Sequence, residues 1–268
     1  MTKSIEAVLG SEYTVAIENE INKVKQSERL LMGKLVAVVK RSDTSLGRPE
    51  EDCNQAEIAN YAIFAPSIYS VICNKDFGTI RNDGSEWKLI SLNSLLEQAL
   101  DYHFTYLHIL LSSEIIYESQ EFKAVRTYVS NLLENNEKSK ELCFSKMVSL
   151  LIGVTTNINK DKFKSNEASR DAVFLAYKVI NICENFINNH TIKIDSSINM
   201  HEYKDLTNNC VIDNIVNNTV KQLIYSRVSK IIDYETKNFT KTNKDETKVI
   251  KLMHKLNIMK PIISDVLN

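Results

Sequence analysis

Glu97, Asp101 and His108 recur at helical spacing along one side of the stretch LNSLLEQALDYHFTYLHILLSSEI, residues 92–115. Two carboxylates and an imidazole on one helix face can orient the ring for proton transfer, or share a metal ion with a second helix. Thr105 and Ser112 continue the strip. It reads equally as the polar seam of a bundle helix, and two ligands on one helix are not a site. His103, beside Tyr102 and Phe104 on the apolar side, reads as a hydrogen-bonded core histidine.

The familiar motifs are absent. The chain has no G-x-x-x-x-G-K-S/T or G-x-G-x-x-G loop to cradle phosphates, no G-x-S-x-G and no H-E-x-x-H. Five cysteines, Cys53, Cys73, Cys143, Cys183 and Cys210, are odd in number and never form C-x-x-C. That suits free thiols in a reducing compartment, and the last three fall in helical patterns as small buried hydrophobes. No catalytic residue, metal-ligand set or cofactor is assigned.

The most specific pattern is a ladder of lysines near the C-terminus: Lys237, Lys241, Lys244, Lys248, Lys251 and Lys255, at steps of four and three. Phe239, Val249, Ile250, Met253 and Leu256 supply an apolar face opposite. Like charges at this spacing repel in an isolated helix, whereas a polyanion would neutralise them without base readout. Asp245 interrupts the strip, and a solvated face is the plain alternative. The chain holds 26 Lys against 7 Arg, with 27 Asn, so lysine is abundant everywhere. An AT-rich coding sequence, as in a phage, virus or mobile element, produces that bias.

These residues need elements to hold them. The 268 residues are 43% hydrophobic and 25% charged, with six Gly and three Pro, which points to a single domain of long helices. Residues 11–40 read as a long N-terminal helix. Ile17, Ile21, Val24, Leu31, Leu35 and Val38 follow the steps of an oligomerisation seam, with Glu28 its one charged occupant. The same spacing serves a helix packed inside its own bundle. A charged linker, RSDTSLGRPEED, precedes a brief helix over Asn54–Phe64. Between about residues 68 and 90 the period shortens to two, and Asp83-Gly84 marks a hairpin turn. The central helix, about Asn93–Tyr117 with Ser94 and Glu97 as a capping box, is apolar over most of its circumference and must be buried. Helices over Gln120–Leu133, Glu137–Ile152 (stopped by Gly153) and Glu167–Ile187 follow. A last helical region starts near His201–Asn209, and 234–268 form a basic amphipathic segment.

The expected fold is therefore mainly α: a multi-helix bundle with a small β-hairpin inserted before a buried central helix. The expected function is non-enzymatic, an interaction or assembly protein of scaffold or adaptor type that joins a protein partner or itself. Nucleic-acid binding through the lysine ladder is the alternative, and an enzyme with a site assembled only in three dimensions is the third reading. No secretory leader or apolar run of membrane-spanning length is evident, so the expected location is cytoplasmic or virion-associated rather than secreted, with no membrane partner.

Overall fold

A computed structural model describes residues 35–42, 58–65, 78–82, 85–194, 210–213 and 215–238. Among them, four strands come first: β1 (Leu35–Ser42), β2 (Ile58–Phe64), β3 (Gly78–Asn82) and β4 (Ser85–Ser91). Two short helices, α1 (Leu92–Leu100) and α2 (Phe104–Leu111), lead to β5 (Glu114–Glu118). Three long helices follow: α3 (Gln120–Asn135), α4 (Glu137–Asn159) and α5 (Asn166–Asn189). A minimal hairpin, β6 (Val211–Ile212) and β7 (Ile215–Val216), precedes α6 (Asn218–Asn238). The described residues are mainly helical, with one five-stranded sheet and one two-stranded hairpin.

The sheet runs β3-β4-β2-β1-β5. The expected hairpin is present as β3 and β4, joined between Asn82 and Ser85. It is the outer pair of a larger sheet, because β4 also lies parallel to β2, and β1 pairs antiparallel with both β2 and β5. Two helix expectations therefore fail. Residues 35–42 are a strand, so the N-terminal helix does not reach Val39, and residues 58–64 are a strand rather than the end of a helix over Asn54–Phe64. The reason lies in LVAVV: three valines in five apolar residues have stiff side chains that favour extended backbone, and an unbroken apolar run suits a strand covered on both faces. Val36, Ala37, Val38 and Val39 are all fully buried.

The central helix is also not one helix. It starts at Leu92, and its N-cap is Ser91, whose hydroxyl accepts from the Ser94 N–H at 3.0 Å in place of the expected box on Ser94 and Glu97. It stops at Asp101. Tyr102 adopts φ 57, its N–H bonds to the Ala99 carbonyl, and the His103 N–H bonds to Gln98, each at 3.0 Å. This is a Schellman stop, with tyrosine where glycine is usual. Tyr102 is also buried, and desolvation pushes its phenol up to about 12 against the lowering effect of a side-chain hydrogen bond with Ser139. The same stop ends α4, with Asp161 at φ 46 and the Lys162 N–H on the Asn157 carbonyl.

Helices α3, α4 and α5 start close to where the sequence places them. Ser119, Asn136 and Ser165 cap them, accepting from Phe122, Ser139 and Ala168. Gly153 does not end α4, which continues to Asn159. At 23 residues, with an 18-residue window of mean hydropathy 1.2, α4 is by length and composition apolar enough to cross a membrane. Here Phe144, Met147, Val148 and Leu151 are buried and the helix packs on α3, α5 and α6. A methyl group added at Gly153 would meet nothing within 4 Å. Gly153→Ala should therefore raise stability by about 0.5–1 kcal/mol, read as a higher urea midpoint at unchanged slope.

Candidate functional site

The break at Tyr102 resets the phase of the helix that follows, and this redistributes the expected polar strip. Glu97 stays on α1 and Asp101 becomes its C-cap, while His108 turns inward on α2 and is buried. His103, expected in the core, is exposed at the N-cap of α2. The two histidines have exchanged places. Among the described residues no group of three or more His, Cys, Asp or Glu side chains converges as a metal site would require.

His108 meets a cation instead. Lys178 Nζ, from α5, lies 3.2 Å from His108 Nε2, and both side chains are buried. An ammonium has no lone pair, so with Lys178 charged the imidazole accepts at Nε2 and carries its own proton on Nδ1. A lysine is not a metal ligand in this state, and the pair ties α2 to α5. The signal was present in the sequence: Lys178 follows Phe174 by four positions and Ala176-Tyr177 directly, a charge within an apolar stripe.

The thiols behave as expected of core residues. Cys143, Cys183 and Cys210 are buried and unpaired by disulfides. Burial pushes the Cys143 and Cys183 thiols well above their ordinary range and raises Cys210, against a lowering contribution from Arg170. None is a thiolate poised for attack.

The lysine ladder and the seam lie mostly elsewhere. Lys237 is exposed in the last turn of α6, whereas Lys241, Lys244, Lys248, Lys251 and Lys255 fall outside the described residues. So do Ile17, Ile21, Val24 and Leu31, together with Cys53 and Cys73. Leu35 and Val38 sit on β1, an extended strand, so they do not continue a helical seam.

A groove that the sequence did not foretell runs beside α3. One wall is α3, with Arg126, Thr127, Ser130, Asn131 and Glu134. The other is the extended segment 191–194 that follows α5, with Leu111 and Leu133 also contributing apolar surface. The volume is about 820 Å³. Ser112, at the end of α2, donates its hydroxyl to the Ile194 carbonyl and pins the segment. Arg126 Nη2 pairs with Glu118 at 3.0–3.2 Å, and the Ser130 hydroxyl donates to Glu134 Oε1 at 2.8 Å.

Elsewhere, ion pairs brace the bundle that holds this groove. Arg227 of α6 clasps Glu184 at 2.5 and 2.8 Å, bonds Asn181 at 2.8 Å and lies 5.4 Å from the Tyr177 ring centroid. Asp161 accepts from Lys221 Nζ at 2.6 Å and from the Val216 N–H at 3.3 Å. Its hydrogen bond with Lys221 holds the carboxyl below the usual range.

No protein-family model matches the chain, and no curated protein matches it. Among solved structures it is similar to a nucleotidyltransferase-like protein from Exiguobacterium sibiricum 255-15, at 12% identity over 82% of this chain and 75% of that one. The TM-score is 0.33, too low for the likeness to carry an argument.

Proposed function

We propose that the chain is a non-enzymatic interaction protein, of adaptor type, that holds a segment of a protein partner in the groove between α3 and residues 191–194. The groove itself carries the reading. At about 820 Å³ it is of the size that ligands occupy, roughly 300–1,000 Å³. Its walls offer hydroxyl, amide and charged groups beside an apolar strip, the mixture found at reversible protein interfaces. One wall is a helix of the bundle, and the other is joined to the end of α2 through Ser112 and Ile194.

Random seven-residue peptides displayed on phage test this directly. Selection on the purified full chain should enrich binders, and Thr127→Trp, which fills the groove from an exposed position, should lose them while keeping the far-UV spectrum. Binders indifferent to Thr127→Trp, or no enrichment at all, would remove the groove as a partner site.

A further inference from the structure

The groove carries charges of opposite sign at a fixed separation. Arg126 and Glu134 stand on the same helix, roughly 12 Å apart along its axis at 1.5 Å per residue. Arg126 commits Nη2 to Glu118, which leaves Nη1 and Nε as donors among the described residues. Glu134 holds the Ser130 hydroxyl on Oε1 and retains Oε2 as an acceptor. Lys193 adds a second cation from the facing wall. Ile192 and Ile194 on either side of it are buried while Lys193 is exposed, the alternation of an extended strand.

Each feature narrows the occupant. An extended polypeptide advances about 3.3 Å per residue, so residues three to four positions apart reach from Arg126 to Glu134. Segment 191–194 belongs to no helix or strand, and its alternating burial presents Lys193 to the groove between two anchored isoleucines. Among the described residues no aromatic side chain lines the groove to stack a base, and Glu134 would repel a phosphate backbone.

We infer that the groove recognises an extended peptide segment bearing an acidic and a basic residue three to four positions apart. The acidic residue engages Arg126 and Lys193, and the basic residue engages Glu134. This rests on the groove being the partner site, and the experiment separates the two claims.

Peptides selected on the full chain should share that charge pair and spacing. By calorimetry, a synthetic consensus peptide should bind about tenfold more tightly than its counterpart with Asn and Gln at the two charged positions, since hydrogen bonds to charged groups are strong enough for one such step. Lys193→Glu and Glu134→Lys should each weaken it about fivefold or more without changing the unfolding midpoint appreciably, as both side chains are exposed. Enriched peptides without charge, still blocked by Thr127→Trp but indifferent to both charge variants, would overturn the charge rule and leave the groove standing. Absence of any binder would overturn both. Salt-releasable nucleic acid on the purified chain, lost in Lys193→Glu, would assign the groove to a polyanion and overturn the peptide reading.

Discussion

Replacing Phe144 by alanine is expected to cost about 3–5 kcal/mol of folding stability, the upper range for truncating a buried aromatic. Phe144 is fully buried on α4. Its ring lies 4.7 Å from that of Phe186 on α5, tilted by 30°, and 5.8 Å from Tyr234 on α6 in an edge arrangement of 80°. One side chain of α4 therefore meets two further helices, and its loss leaves a cavity that no single neighbour can fill. Whole domains are stable by only about 5–15 kcal/mol, so this variant should unfold at much lower urea. Phe144→Leu keeps most of the volume and should recover more than half of the loss. A cost below about 1 kcal/mol for the alanine variant would mean that α4, α5 and α6 do not meet at this ring.

His108 and Lys178 should give unequal costs when changed singly. Removing the imidazole with His108→Leu leaves a buried ammonium short of one acceptor, which costs about 3 kcal/mol, the upper end for orphaning a buried polar group because this one is charged. Lys178→Met removes the charge itself and keeps the stem, so what remains is an imidazole nitrogen without this donor, at about 1–3 kcal/mol. The double variant should be more stable than the sum of the single costs predicts. Urea unfolding of the four proteins measures this. Equal costs, or a cheaper histidine change, would show that Lys178 does not depend on His108. Because the pair joins α2 to α5, the loss should also reach Ser112 and the segment it pins.

What could be read from the sequence was local. Helices expected over Gln120–Leu133 and Glu167–Ile187 stand as α3 and α5. Asp83-Gly84 between two period-2 runs located the β3–β4 hairpin. The failures arose where two local rules compete. The LVAVV run satisfies a heptad seam and a two-sided strand alike, and only its partners β2 and β5 decide between them. Tyr102 gives no warning of a left-handed stop because glycine normally occupies that position, and its burial, with a side-chain hydrogen bond to Ser139, is a tertiary fact. Gly153 erred in the opposite direction, a residue that often ends helices standing inside one. The groove was beyond reach, since Arg126 and Lys193 belong to separate elements and come together only through the packing of α3 beside the segment after α5.

The place of β1 in the sheet has a consequence for how the protein comes into being. Its two neighbours arise far apart in the chain, β2 soon after it and β5 only after α1 and α2. During synthesis from the N-terminus, β1 can pair on one side while the residues for its other side are yet to be made. Until Glu114–Glu118 emerge, a strand rich in valine presents an open row of backbone donors and acceptors, the template on which nascent chains join one another. In the interval between making β2 and making β5, one edge of β1 therefore lacks its partner. Slowing translation there should lower soluble yield more than slowing it anywhere after β5.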